Sequence, residues 1–244
     1  MSLFFPPALL RAMLALLLAA ALPACAQGGP ATPGVLPDTL QQRVLACTAC
    51  HASKERSDAF FPRIGGKPAG YLYNQLLNFR SGRRQYPMMT YMVDHLPDAY
   101  LREIADYFSQ QHPAPAQAQA TGATRAVLER GRTLVTQGDK ARNVPACIAC
   151  HGEKLTGVAP AIPGLLGLPH DYINAQFGAW KNHVRRAHAP DCMAEIAARL
   201  SDADVAAVSG WLGTQVALPG ARPAAAISQP LPLRCGSVTQ ATLP

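Results

Sequence analysis

The sequence carries ACTACH at residues 46–51 and ACIACH at 146–151. Each phrase sets two cysteines three positions apart with a histidine directly after them: Cys47, Cys50 and His51, then Cys147, Cys150 and His151. On a helical turn, residues i and i+3 are neighbours on one face. Two thiols so placed can bond a flat partner at adjacent points, and the histidine then falls beneath its centre. This is the attachment pattern of c-type haem, in which the thiols add to the vinyl groups and the imidazole becomes the proximal iron ligand. Two copies predict two covalently bound haem c groups. A CxxC pair alone also suits a thioredoxin-like dithiol or half of a zinc site. The first belongs to a strand–helix pattern that is lacking here, and a four-cysteine zinc site gives neither histidine a role.

A low-spin electron carrier needs a second axial ligand, and a methionine thioether is a soft donor that raises the potential. After the first motif come Met88, Met89 and Met92 in PMMTYM; after the second comes Met193 alone, in DCMAEIA. Laying the two halves over each other pairs Met193 with Met89, so Met89 is the expected ligand, with Met88 and Met92 as alternatives. The stretch reads as a loop before a last helix. His95, His112, His170, His183 and His188 have no matching positions in the two halves and read as surface residues. Pro62 and Pro163 follow His51 and His151 by 11 and 12 residues. Their carbonyls are placed to accept the imidazole N–H and fix the ring. Arg80, Arg83 and Arg84 suit haem propionates or solvent equally.

The elements that position these residues occur twice. Pro62 meets Pro163, Gly66 meets Gly167, Tyr71 meets Tyr172, Gln75 meets Gln176, Phe79 meets Trp180 and Leu96 meets Leu200. This is a duplicated domain rather than an array of short repeats. Apolar spacing predicts helices over 38–47, 68–82, 96–111, 124–138 and 200–215, with Pro68 opening the second, Gly82 closing it and Asp98 capping the third. No stretch reads convincingly as a strand. The fold class is therefore all-α, with two tandem helical domains, each enclosing one haem. Residues 31–112 form the first domain, 113–124 a Pro/Ala/Gln/Gly linker, 125–216 the second domain, and 217–244 a Pro-rich tail wrapping loosely over the second domain. Aromatic residues are only 7% of the chain, thin for two independent cores, and a haem disc in each would fill the gap.

Residues 1–26 read as a secretory signal, with Arg11, an apolar run from Ala12 to Leu22 and small residues at 24–26. LPAC at 22–25 also resembles a lipobox, which would leave Cys25 lipidated. Either cut exports the protein to the periplasm. The net charge is +7, from 22 basic and 15 acidic residues. No basic helix or stacking aromatics suggest nucleic acid.

These residues resemble the dihaem cytochromes c4. The resemblance covers about residues 40–215 and rests on the two CxxCH motifs, FPRIGG…YLYNQLLNFRSG and MTYMVDHLPDAYLREIADYFSQQ. It implies two cytochrome c domains related by a pseudo-twofold axis with haem propionates close across the interface. It also implies His51/Met89 and His151/Met193 ligation, and a periplasmic carrier passing electrons toward a terminal oxidase. The chain departs from the pattern at Ala52, where Gly is frequent, in its longer tail, and in Cys192 and Cys235. Of seven cysteines, four are haem thiols and Cys25 leaves with the signal or is lipidated. Cys192 and Cys235 remain, in an oxidising compartment, and are expected to pair, pinning the tail beside Met193.

The expected function is electron transfer between a respiratory donor complex and a terminal oxidase or other acceptor, with no catalytic residues. Two alternatives follow from the same features. One is a dihaem enzyme, either thiosulfate-dehydrogenase-like, in which a thiolate such as Cys192 ligates one iron, or peroxidase-like, with one open iron. The other is a cytochrome subunit docked to a dehydrogenase.

Overall fold

A computed structural model describes residues 39–51, 61–112, 114, 117–216 and 218–241. The leader at 1–26, Cys25 and Ala52 lie outside them. The first half contains α1 (Leu40–Arg43), α2 (Leu45–His51), α3 (Ala69–Arg80), α4 (Pro87–Val93) and α5 (Asp98–Ser109). The single helix expected over 38–47 is two. Thr39 caps α1 by accepting from the Gln42 N–H at 3.2 Å, and the fully buried Val44 marks the joint with α2. α3 starts after Pro68 and ends at Ser81, with Gly82 at φ 71°, a left-handed position suited to glycine. Leu101, Ile104, Ala105 and Phe108 form the buried face of α5.

Asp98 does not cap α5. Pro97 holds the N-cap position without a side-chain bond, and the Asp98 carboxylate instead accepts from Arg80 and from the Tyr73 hydroxyl, the latter at 3.2 Å. The methionine stretch is not a loop either. Proline is at home in the first helical turn, and Pro87 opens α4, which carries Met88, Met89 and Met92.

The second half contains α6 (Arg125–Thr136), a 3-10 turn (Lys140–Arg142), α7 (Ile148–His151), α8 (His170–Lys181), α9 (Cys192–Arg199) and α10 (Asp202–Gly213). A minimal antiparallel pair, β1 (Gly157–Val158) with β2 (Ile162–Pro163), was not read in the sequence. Ser201 and Asp204 form a reciprocal capping box at the start of α10. α10 packs along α6 where Gly131 lets the backbones approach: a Cβ there would lie 2.1 Å from the Ala207 carbonyl oxygen. Burial would raise the Asp204 carboxyl, but bonds from Arg142, Ser201 and Arg130 hold it well below the usual range.

Each half has its own apolar cluster. One is built from Val44, Leu72, Phe79, Leu101, Ile104 and Phe108, the other from Leu134, Ile173, Phe177, Val205, Val208 and Leu212. The linker is tied to the second half, with the Gln119 N–H donating to the Gly213 carbonyl at 2.8 Å.

The tail is more firmly held than its composition suggests. Ala224 exchanges backbone bonds with Gly157 and Ala159, at 2.9 and 2.8 Å. Its last helix, α11 (Gly236–Ala241), reaches the first half, where Asn74 Nδ2 donates to the Ser237 carbonyl at 2.8 Å. No helix among the described residues is long and apolar enough to cross a membrane.

Candidate functional site

The two motifs stand on the ends of short helices, α2 and α7, so each histidine is the last helical residue. The His51 Nδ1–H donates to the Pro62 carbonyl at 3.0 Å, and the His151 Nδ1–H to the Pro163 carbonyl at 2.7 Å. A bond through Nδ1 fixes the tautomer and leaves the Nε2 lone pair free for a metal. Burial lowers the pKa of both imidazoles, and the positive charges of Arg84 near His51 and Lys67 near His151 act in the same direction. Both are therefore neutral at neutral pH, as a ligand must be.

The four motif cysteines are unpaired. Burial pushes the Cys147 thiol up to about 12 and raises Cys47 as well. A dithiol exchange site needs the opposite shift, toward thiolate, so the environment does not suit a thioredoxin-like reaction.

In the second half a single cavity is lined by Cys147, Cys150, His151 and Met193 together. Its walls are apolar, with Leu134, Leu165, Ile173, Phe177, Trp180 and Val208 among them. In the first half, Cys47, Met89 and Met92 pack against the apolar cluster, whereas Met88 is 61% exposed. Of the three methionines, Met89 and Met92 are the ones on the buried side of α4.

The polar groups around the second cavity are unusual for a protein interior. Lys67 and Arg185 line it, and neither has a carboxylate partner among the described residues. Lys67 Nζ donates to the Gly164 carbonyl at 3.0 Å, and burial brings its pKa down to about 8. The indole Nε1–H of Trp180, also in the lining, is buried without an acceptor. Buried cations and donors are costly unless matched by anions or acceptors. An apolar macrocycle bearing two carboxylates matches the walls and would supply the negative charge that Lys67 and Arg185 lack, so the residues present fit a haem.

Of the arginines upstream of the methionines, Arg80 is engaged by Asp98 and by the Leu96 carbonyl at 2.6 Å, and Arg83 by Ser81 at 3.0 Å. Arg84 lies between the halves, bonded to Tyr172 at 3.0 Å and Gln176 at 2.9 Å. Its counterpart Arg185 was not singled out from sequence, nor were Lys67 and Trp180. The repeat held the signal for Arg185, because the register that sets Gln75 over Gln176 also sets Arg84 over Arg185. His95 is exposed beside Asp94, and His170 pairs with Asp171 at 3.0 Å.

Cys192 is bonded to Cys235. Its sulfur is therefore no free thiolate, and the feature that kept a thiolate-ligated iron in view is committed elsewhere.

No protein-family model matches the chain. It is 37% identical over 173 residues to the thiosulfate dehydrogenase electron acceptor of Thiomonas intermedia, covering 70% of this chain and 78% of that one. It is 31% identical over 175 residues to cytochrome c4 of Pseudomonas aeruginosa, covering 70% and 85%. The chain belongs to the dihaem cytochrome c4 family. The crystal structure of reduced recombinant cytochrome c4 from Pseudomonas stutzeri superposes with a TM-score of 0.62 at 29% identity, over 71% of this chain and 95% of that one. A thiosulfate dehydrogenase from Marichromatium purpuratum also gives 0.62 at 29% identity, but the chain spans only 36% of its length. Like the cytochromes c4 it resembles, the protein is an all-α electron-transfer cytochrome with two covalently bound haem c groups.

Proposed function

We propose that residues 31–112 and 125–216 are the two haem domains of a periplasmic electron carrier. Cys47 and Cys50 hold the first haem between His51 and Met89, and Cys147 and Cys150 hold the second between His151 and Met193. A haem iron so ligated supplies one-electron exchange, and the protein fixes its ligands and excludes water. The observation that carries this reading is the cavity that gathers Cys147, Cys150, His151 and Met193 within apolar walls. With His51 and Met89, and His151 and Met193, as ligands, neither iron would have a place for substrate, so the protein would act as a carrier rather than an enzyme. Near-infrared magnetic circular dichroism of the oxidised holoprotein, with haem assayed on the same sample, tests it. Two haems with the His/Met signature are expected; a high-spin or thiolate-ligated component overturns the assignment for that haem.

A specific partner is favoured by the similarity to the Thiomonas intermedia protein, which exceeds that to cytochrome c4 of Pseudomonas aeruginosa in identity. On this reading the donor is a thiosulfate-oxidising dehydrogenase and the electrons pass on to a terminal oxidase or another acceptor. Stopped-flow mixing of the oxidised cytochrome with such an enzyme and thiosulfate should reduce both haems within the enzyme's turnover time. Reduction no faster than without enzyme removes this donor and leaves the carrier reading intact.

A further inference from the structure

The tail is built into the second haem site. Leu233, Cys235, Ser237 and Val238 line the same cavity as His151 and Met193. The disulfide joins Cys235 to Cys192, the residue immediately before Met193 and the first of α9. Two further bonds seat the strap: the Gly236 N–H donates to the Pro190 carbonyl at 3.0 Å, and Asn74 of the first half donates to the Ser237 carbonyl at 2.8 Å. At the corresponding place in the first half, the residue before Met89 is Met88, which is 61% exposed and carries no crosslink. The two sites, alike in ligands, therefore differ in what holds the methionine.

The structure assigns to the Cys192–Cys235 crosslink and residues 233–238 the role of a strap that positions Met193 as a ligand and closes the second site to small molecules. This rests on Met193 being the axial ligand. The strap is local to one haem, so its loss should open one iron and not the other. A methionine in the first turn of a two-turn helix is held by the start of that helix. The disulfide ties that start to a segment itself bonded to both halves.

The test is carbon monoxide binding by the reduced holoprotein, counted per haem, with near-infrared dichroism of the oxidised form. The wild type should bind none and show two His/Met signatures. The Cys192→Ser/Cys235→Ser protein should bind one carbon monoxide per chain and lose half of the His/Met intensity. Gly236→Val provides an independent route that leaves both cysteines in place. A side chain there would lie 2.2 Å from the Ala189 carbonyl oxygen, so the strap cannot seat, and the same single site should open. Adding the serine pair to Met193→Ala should leave the count at one, because both changes act on one iron. If both strap variants stay closed with two intact signatures, the strap is overturned while the ligand reading stands. If the wild type itself shows only one His/Met haem and it is the first, the ligand reading falls and the strap's role falls with it.

Discussion

Arg84 and Arg185 lie opposite each other in an antiparallel bridge between the two halves. Arg84 reaches Gln75 of its own half at 3.0 Å and Gln176 of the other at 2.9 Å; Arg185 reaches Gln176 at 2.5 Å and Gln75 at 3.2 Å. Backbone bonds flank the pair, from Gln85 to Val184 at 2.8 Å and from Arg186 to Arg83 at 2.7 Å. Each guanidinium also stacks on an aromatic ring of its own half, Phe79 or Trp180. The duplicated sequence thus meets itself through duplicated residues. Burial, and then the charge of Arg84, push the Arg185 pKa down. A buried and a half-buried like charge on one seam make the interface a natural partner for anionic groups.

Replacing Arg84 by Met removes the donor to the Tyr172 hydroxyl and leaves Gln75 and Gln176 with Arg185 alone, and should cost about 1–3 kcal/mol of holoprotein stability. Arg84→Lys should recover little of it, because an ammonium cannot bridge three acceptors as the planar fork does. Calorimetry of the single and double variants with Arg185→Met should show more than additive losses, since either arginine alone still serves both glutamines.

Lys67 belongs to the first half but ends on Gly164, next to the Pro163 carbonyl that holds His151. A cation there disfavours the ferric state, whose charge is the more positive. Lys67→Met should lower the midpoint potential of the second haem and leave the first unchanged, and Lys67→Arg should retain the wild-type value. Spectroelectrochemical titration resolves the two. The aligned residue in the second half is Leu168, so the first haem receives no equivalent charge.

The acid limb of stability should come from the second half. Bonds from Arg130 and Arg142 hold Asp139 below the usual carboxylate range, and Asp204 is held lower still. Carboxyls depressed in the folded state stabilise it above their unfolded pKa, roughly pH 4, and lose that contribution as pH falls through the folded values. Melting temperature should therefore drop below about pH 4. Asp204→Asn should lower the neutral-pH value and flatten that drop.

The chemistry was more legible in the sequence than the packing. CxxCH is a local pattern, and so is the interval from each histidine to its proline, because both depend on a few consecutive residues. The repeat register sets Met193 over Met89, a pairing that a local motif alone does not give. Lys67 was not legible as a site residue, because its meaning depends on which surfaces of the two halves meet, whereas Arg185 was marked by the repeat register as the counterpart of Arg84. Asp98 misled because its residue type suits a cap, while Arg80 and Tyr73, distant in sequence, compete for its carboxylate. The tail misled in the same way: Pro-rich composition says that residues 218–235 form no regular element, not that they lack anchors.

Two glycines of the second half give opposite expectations for one substitution. Gly131 lies in α6 against α10, where an added Cβ would come within 2.1 Å of the Ala207 carbonyl oxygen and 2.8 Å of Trp211 Cβ. The carbonyl cannot rotate away without breaking α10, so the helices must separate. Gly178 lies in α8, and a Cβ there meets nothing within 4 Å. Alanine is favoured over glycine in a helix by about 0.8–1 kcal/mol. Gly178→Ala should therefore gain up to about 1 kcal/mol, while Gly131→Ala should lose about 1–3 kcal/mol net as overpacking exceeds the propensity gain. Thermal melts of the two holoproteins should move in opposite directions. A Gly131→Ala protein as stable as Gly178→Ala would mean that α6 and α10 do not pack at this crossing.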